Sequence, residues 1–260
     1  MGNKKIKVGI DINELIRARS IQFDRYYVNE FGEDGAPKGQ PYSYDFFNDY
    51  KWDDISEEEN VLLDDAPEDI DPRDYIVDPK TGVAPADVFL MKKNTIILTA
   101  KEVYERFLYK DFVFEIFASA PSIYPNIELD LDKILRKYSE QVDFILFSKE
   151  NLYTRPSTFS FLSKTRCRFN EVRLYDNYDD LISGLDIVIT TDPELITLID
   201  SEYKYDSLID DTKSKVVFKA DRPYNINIEC DLAIDNLQHL LTDERFKIMV
   251  GYEENEINNN

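Results

Sequence analysis

Cysteine, histidine and tryptophan are nearly missing from this chain of 260 residues, which has two Cys, one His and one Trp. Cys167 and Cys230 have no neighbouring cysteines and His239 stands by itself near the end, so no zinc-ligand spacing exists. Two cysteines fit a reducing compartment, although the pair could still join. Long apolar runs are also missing. The lysines at the start precede only a five-residue apolar stretch, broken at Asp11, and nowhere do 18 apolar residues run together. The expectation is therefore no signal peptide, no membrane span and a soluble intracellular protein. Basic residues are in the minority: 31 Lys and Arg against 52 Asp and Glu give 31 − 52 = −21 at pH 7. That balance argues against non-specific nucleic-acid binding, which needs clustered cations to release counterions from phosphates. It leaves room for one phosphate in a locally positive pocket. Apolar residues make up 43% of the chain, with 16 Phe and 17 Tyr, which is ample core material and excludes global disorder. The length suits one large α/β domain or a core with a smaller inserted module.

Ile6 to Ile12 (I-K-V-G-I-D-I) reads as a core strand that delivers Asp11 to a strand-to-helix junction, with a helix expected over 14–27. Gly32 to Gln40 is polar and loop-like, followed by the aromatic patch Tyr42, Tyr44, Phe46, Phe47, Tyr50 and Trp52. This patch is either an interface or a local mini-core. Between Asp53 and Asp74 there are 11 acidic residues in 22 positions, with Pro67 and Pro72 interrupting any long helix. The run reads as a solvated excursion or as a docking surface for a basic partner. A loop is expected over 79–85, and a helical first half over 101–117. Helices near 129–138, from Pro156 or Ser157, and over 194–200 alternate with strands at 142–147, 172–175, 187–189 and 215–219. Alternation of this kind is the pattern of a parallel α/β sheet flanked by helices. Residues 1–27 and 119–245 are expected to form the core, 28–118 an inserted excursion, and 246–260 a polar tail.

In an open α/β sheet, ligands bind at the carboxyl ends of parallel strands, where Asp11, Ser148 and Thr190 to Asp192 can converge. A carboxylate at Asp11 suits a hard cation or nucleophilic attack on phosphorus, a hydroxyl at Ser148 suits a phosphoryl oxygen, and Asp192 suits a magnesium shell. Each also has a local reading, Asp11 as a cap or ion-pair partner. Arg222, Tyr224 and Asn225 read as a turn begun by Pro223. His239 reads as a surface or capping side chain.

Gly9-Ile10-Asp11-Ile12-Asn13-Glu14, Phe144-Ile145-Leu146-Phe147-Ser148-Lys149 and Asp186 to Pro193, with Arg222-Pro223-Tyr224-Asn225 after a late strand, resemble successive motifs of the haloacid-dehalogenase-like superfamily. The resemblance covers roughly residues 5–240 and is closest to the 5'(3')-deoxyribonucleotidase branch. It implies a Rossmannoid parallel sheet with a cap-like or docking insertion. It makes Asp11 the covalent nucleophile, Ser148 a phosphoryl-binding residue, Arg155 or Lys164 the compensating cation, and Asp11 with Asp192 the ligands of Mg2+. It also implies a phosphate or nucleotide ligand. Two positions depart from the pattern. The residue that should exchange a proton with the leaving group is Asn13, and a neutral amide cannot do so. The later acidic pair is Thr190-Thr191, whose hydroxyls are weaker magnesium ligands than carboxylates.

Two departures in different chemical roles favour a degenerate, nucleotidase-like scaffold over a magnesium-dependent nucleotidase, because fold does not guarantee activity. The N-terminal resemblance, with the Asn- and aromatic-rich composition, is also similar to proteins of tailed bacteriophages. This implies an assembly role with a protein partner or a second copy, in the host-cell cytoplasm or in the virion.

Overall fold

The computed structural model describes residues 4–39, 44–62, 91–203, 215–230 and 232–252. In chain order the elements are β1 (Ile6–Asp11), α1 (Arg19–Phe31), β2 (Ile55–Leu62), β3 (Met91–Leu98), α2 (Ala100–Arg106), α3 (Val113–Phe117), α4 (Ile127–Lys137) and β4 (Val142–Lys149). They continue with α5 (Arg155–Thr165), β5 (Glu171–Tyr175), α6 (Tyr178–Ile182), β6 (Ile187–Thr190), α7 (Pro193–Leu198), β7 (Val216–Ala220), β8 (Ala233–Ile234) and α8 (Glu244–Met249). The chain divides into two compact units, Met1–Tyr50 with Leu108–Asn260, and Lys51–Phe107.

The first unit holds a six-stranded parallel sheet in the order β5-β4-β1-β6-β7-β8. Numbered by appearance within that sheet, the order is 3-2-1-4-5-6, the doubly wound arrangement whose winding reverses beside the first strand. Successive side chains on a strand point to opposite faces. Phe144 and Leu146 of β4, with Ile187 and Ile189 of β6, therefore join one buried cluster, while Ile145, Phe147 and Val188 join the other. Ile127, Leu131 and Ile134 of α4, Phe161 of α5 and Phe246 of α8 cover the first face. Leu181 and Ile182 of α6, with Leu195 and Ile196 of α7, cover the second. Burial on both faces explains why the strands read as continuous apolar runs. Gly9 in β1 lets Phe147 and Leu185 close over the backbone: a Cβ there would meet the Leu185 side chain and come within 3.1 Å of the Phe147 ring.

The helix expected over 14–27 begins five residues later, at Arg19. Residues 12–17 form a tight turn instead, with the Ile16 and Arg17 N–H groups both donating to the Ile12 carbonyl and Glu14 in the left-handed region at φ 57°. Leu15 and Ile16 are apolar because the turn is buried. The Glu14 carboxylate then accepts from the N–H and hydroxyl of Ser20, both at 2.7 Å, serving the donors of the first turn of α1. Phe46 packs on Phe23 at 4.8 Å between ring centroids, and Tyr50 on Tyr27 at 4.6 Å, so these two aromatics build a local core on α1.

In the second unit β2 and β3 pair antiparallel from Ile55↔Leu98 to Leu62↔Met91, strands that the acidic composition did not suggest. A capping box joins Thr99 and Glu102 at the start of α2, and the Trp52 ring lies 5.2 Å from Tyr104 and 5.7 Å from Phe107. Tyr42, the acidic residues from Asp64 onward, the loop expected over 79–85 and the tail from Glu253 lie outside the described residues. Among the described residues no helix is long and apolar enough to cross a membrane.

Candidate functional site

Asp11 ends β1, Ser148 lies near the end of β4, and Thr190 ends β6 on the other side of β1, so the sheet order alone gathers them at the switch point. All three are buried, as are Asn13, Thr191 and Asp192. Asp11 Oδ1 accepts from the Asn13 N–H at 3.1 Å, and Oδ2 accepts from the Thr190 hydroxyl at 2.7 Å. Thr190 Oγ1 in turn accepts from the Asp192 N–H at 3.0 Å. Burial pushes the Asp11 carboxyl from its ordinary 3.8 up to about 8, the Asp192 charge adds to the rise, and the Thr190 hydroxyl, the Asn13 N–H and the Arg19 charge oppose it.

Asn13 is fixed from both sides. Its Nδ2 donates to Ser148 Oγ at 2.7 Å, and its Oδ1 accepts from Arg17 Nε at 3.1 Å and from Arg17 Nη2. Arg17 also donates to Glu150 Oε1 at 2.7 Å, Thr158 Oγ1 at 2.6 Å and the Phe117 carbonyl at 3.1 Å. Thr158 donates onward to Glu150 at 2.7 Å. Both side chains of the Arg17–Glu150 pair are 0% exposed, and the Phe117 and Phe161 rings sit 5.0 and 5.5 Å from the guanidinium carbon. Burial lowers the Arg17 pKa, and the carboxylate of Glu150 is the main influence against that.

Asp192 caps α7: its Oδ1 accepts from the N–H groups of Glu194 at 3.0 Å and Leu195 at 3.4 Å, and its Oδ2 accepts from the Tyr178 hydroxyl at 2.7 Å. Thr191 donates to the Asn13 carbonyl at 3.3 Å. The Arg222 to Asn225 turn closes with the Asn225 N–H on the Arg222 carbonyl. Asn225, fully buried, donates to the Thr191 and Ala220 carbonyls, and Arg222 Nε donates to the Glu14 carbonyl at 2.9 Å. This loop therefore ties the ends of β7 and β6 to the turn after β1. Tyr224 lies 6.0 Å from Tyr44 between ring centroids, and burial raises both phenols.

The expected residues divide accordingly. Asp11, Asn13, Ser148 and Asp192 come together at the strand ends. Arg155 starts α5 with its guanidinium 5.9 Å from the Tyr175 ring, toward the end of β5. Lys164 donates to the Ala118 carbonyl at 2.8 Å. The cation whose charge acts on Asp11 is Arg19, which stacks on Tyr44 and Phe46. His239 faces Asp235 at 3.6 Å on the surface. Sequence reasoning missed Arg17, Arg19, Glu150, Thr158 and Tyr178. One signal was available: Glu150 lies three residues beyond the strand expected at 142–147, and a carboxylate drawn into a buried sheet end needs a cation.

The two carboxylates that would hold a magnesium ion, Asp11 and Asp192, are hydrogen-bonded in place. Mg2+ takes near-octahedral oxygen ligation; all four oxygens of Asp11 and Asp192 accept hydrogen bonds, and the two threonine hydroxyls donate to Asp11 and to the Asn13 carbonyl. Among the described residues no three His, Cys, Asp or Glu side chains gather as a metal-holding group.

Fold and site together define a parallel, doubly wound α/β protein with a buried polar cluster at its switch point. Compared with known proteins, the chain matches no family model, and no curated protein sequence matches it.

Proposed function

We propose that this chain is a haloacid-dehalogenase-like scaffold whose strand-end centre does not turn over phosphate, and that it serves a structural or assembly role, binding a protein partner or a second copy of itself, in a tailed bacteriophage. The observation that carries this reading is the locked amide of Asn13. Its oxygen is held by Arg17 and its nitrogen by Ser148, so the position that should move a proton is neutral and fully engaged. Asp11 supports the same reading, because burial holds its carboxyl protonated up to about pH 8 and a protonated carboxyl is not a nucleophile. The retained Asp11 beside Ser148 at the switch point favours a second reading, a magnesium-dependent 5'(3')-deoxyribonucleotidase acting in the host-cell cytoplasm.

Phosphate release from a panel of deoxynucleoside 5'- and 3'-monophosphates, with and without magnesium, separates the two. The scaffold reading expects no release above the Asp11→Asn variant. Robust release that vanishes in that variant rejects it. Native mass measurement of the purified chain then reports whether a second copy is bound.

A further inference from the structure

The Arg17–Glu150 pair lies beneath the site and takes no part in the chemistry expected of it, yet it decides what position 13 can be. The pair is 2.7 Å apart with both side chains 0% exposed. Glu150 is the guanidinium's one carboxylate partner among the described residues, and the remaining donors go to Asn13, Thr158 and the Phe117 carbonyl. One positive and one negative charge therefore cancel inside a closed shell. Asn13 completes that shell without adding charge: its oxygen accepts from Arg17 and its nitrogen donates to Ser148.

We infer that Arg17 and Glu150 are positioning residues that commit position 13 to an uncharged side chain, so that an ionised carboxylate is accommodated there only if Glu150 gives up its charge. This rests on the strand-end reading above, and it concerns how the site is held rather than whether it turns over. An ionised aspartate at 13 would place a second carboxylate on a guanidinium already neutralised by Glu150, one negative charge more than Arg17 balances in a water-excluded cluster beside Asp11. The contact to Ser148 would also reverse. Asn13 donates to Ser148 Oγ, whereas an ionised aspartate can only accept, so the serine hydroxyl would have to turn and donate. A glutamine at 150 restores neutrality, because Arg17 then carries the single charge that the new carboxylate balances.

The test is a thermal denaturation cycle on the full chain: parent, Asn13→Asp, Glu150→Gln and the double variant, whose formal charge equals that of the parent. Each single change leaves one buried charge unbalanced and is expected to lower Tm by about 6 °C or more. The double variant is expected to recover more than half of the summed loss. If neither single variant folds, folding of the double variant counts as that recovery. An unchanged Tm for Asn13→Asp overturns the inference, as does a double variant that recovers half or less of the summed loss, or that fails to fold. Phosphate release by the parent would reject the non-catalytic reading and leave this stability pattern untouched, so the two failures are separable.

Discussion

Asp11 gives the prediction whose size follows most directly from its surroundings. Its carboxyl is held at about 8 in the folded chain against an ordinary 3.8, chiefly by burial, with the nearby Asp192 charge in the same direction. Between those values the folded state keeps a proton that the unfolded state releases, so stability falls as pH rises from about 4 to about 8. A tenfold change per unit of pH within that window makes a change on the order of 3 kcal/mol between pH 5 and pH 7. Other groups titrate over the same range, and burial raises Asp192 as well. Asp11→Asn keeps the shape of the side chain and removes its proton equilibrium. Urea denaturation of parent and variant at pH 5 and pH 7 should therefore show the variant gaining on the order of 3 kcal/mol on the parent as the pH is raised. An equal difference at the two pH values would refute the claim that Asp11 is protonated in the fold. The same titration with excess magnesium tests the ligand argument: if the cation flattens the slope of the parent, it is binding ionised Asp11 and the carboxylates do form a metal site.

Three further changes probe the bracing of the strand ends. Arg17→Met leaves Glu150 as a lone charge in a shell that is 0% exposed, and the expected loss is about 3–5 kcal/mol in urea denaturation; a loss under about 1 kcal/mol would mean that water reaches Glu150. Asp192→Ala removes the cap of α7, held by bonds of 3.0 and 3.4 Å, for about 0.5–2 kcal/mol, and amide exchange of Glu194 and Leu195 should rise with it. Asn225→Ala deletes the donors to the Thr191 and Ala220 carbonyls and the acceptor for the Arg222 N–H. The expected cost is about 1–3 kcal/mol in urea denaturation, with exchange increasing at Arg222; no change in either would show that Lys219, which donates to the Ile228 carbonyl at 2.8 Å, is enough to hold the loop.

Strands were legible because burial on both faces writes itself as short apolar runs: Val142 to Phe147 and Ile187 to Ile189 fall inside β4 and β6. Their parallel order followed from the helices between them. The start of α1 was not legible, since Leu15 and Ile16 look the same whether they face a core from a helix or from a turn, and the capping carboxylate, Glu14, lies six residues before Ser20. β2 was hidden because Ser56 to Glu59 has too little apolar content to announce a strand, and antiparallel pairing with β3 supplies what composition does not. At the site, the residues that belong to strand ends could be listed from sequence. The residues that hold them could not: Arg17 and Glu150 are 133 positions apart, and only the β1–β4 pairing makes them neighbours.

That pairing also bears on the proposed reading of a site without turnover. Main-chain bonds join the β1 chain to β4 as far as the Ile12 N–H on the Phe147 carbonyl at 2.9 Å, and the pairing with β6 ends at Ile10↔Ile189. Beyond those rungs the chain turns away, and the strand ends are linked through side chains: Asn13 to Ser148 across β1 and β4, Thr190 to Asp11 and Thr191 to the Asn13 carbonyl across β1 and β6. An acidic pair at 190 and 191 would put further carboxylates beside Asp11 and need a cation to hold them together. Threonines there supply hydroxyl donors and add no charge to the cluster. On the haloacid-dehalogenase-like reading proposed above, the residues at 13, 190 and 191 that depart from the expected proton-transfer and metal-binding groups are the ones that supply the hydrogen bonds closing the sheet at its switch point.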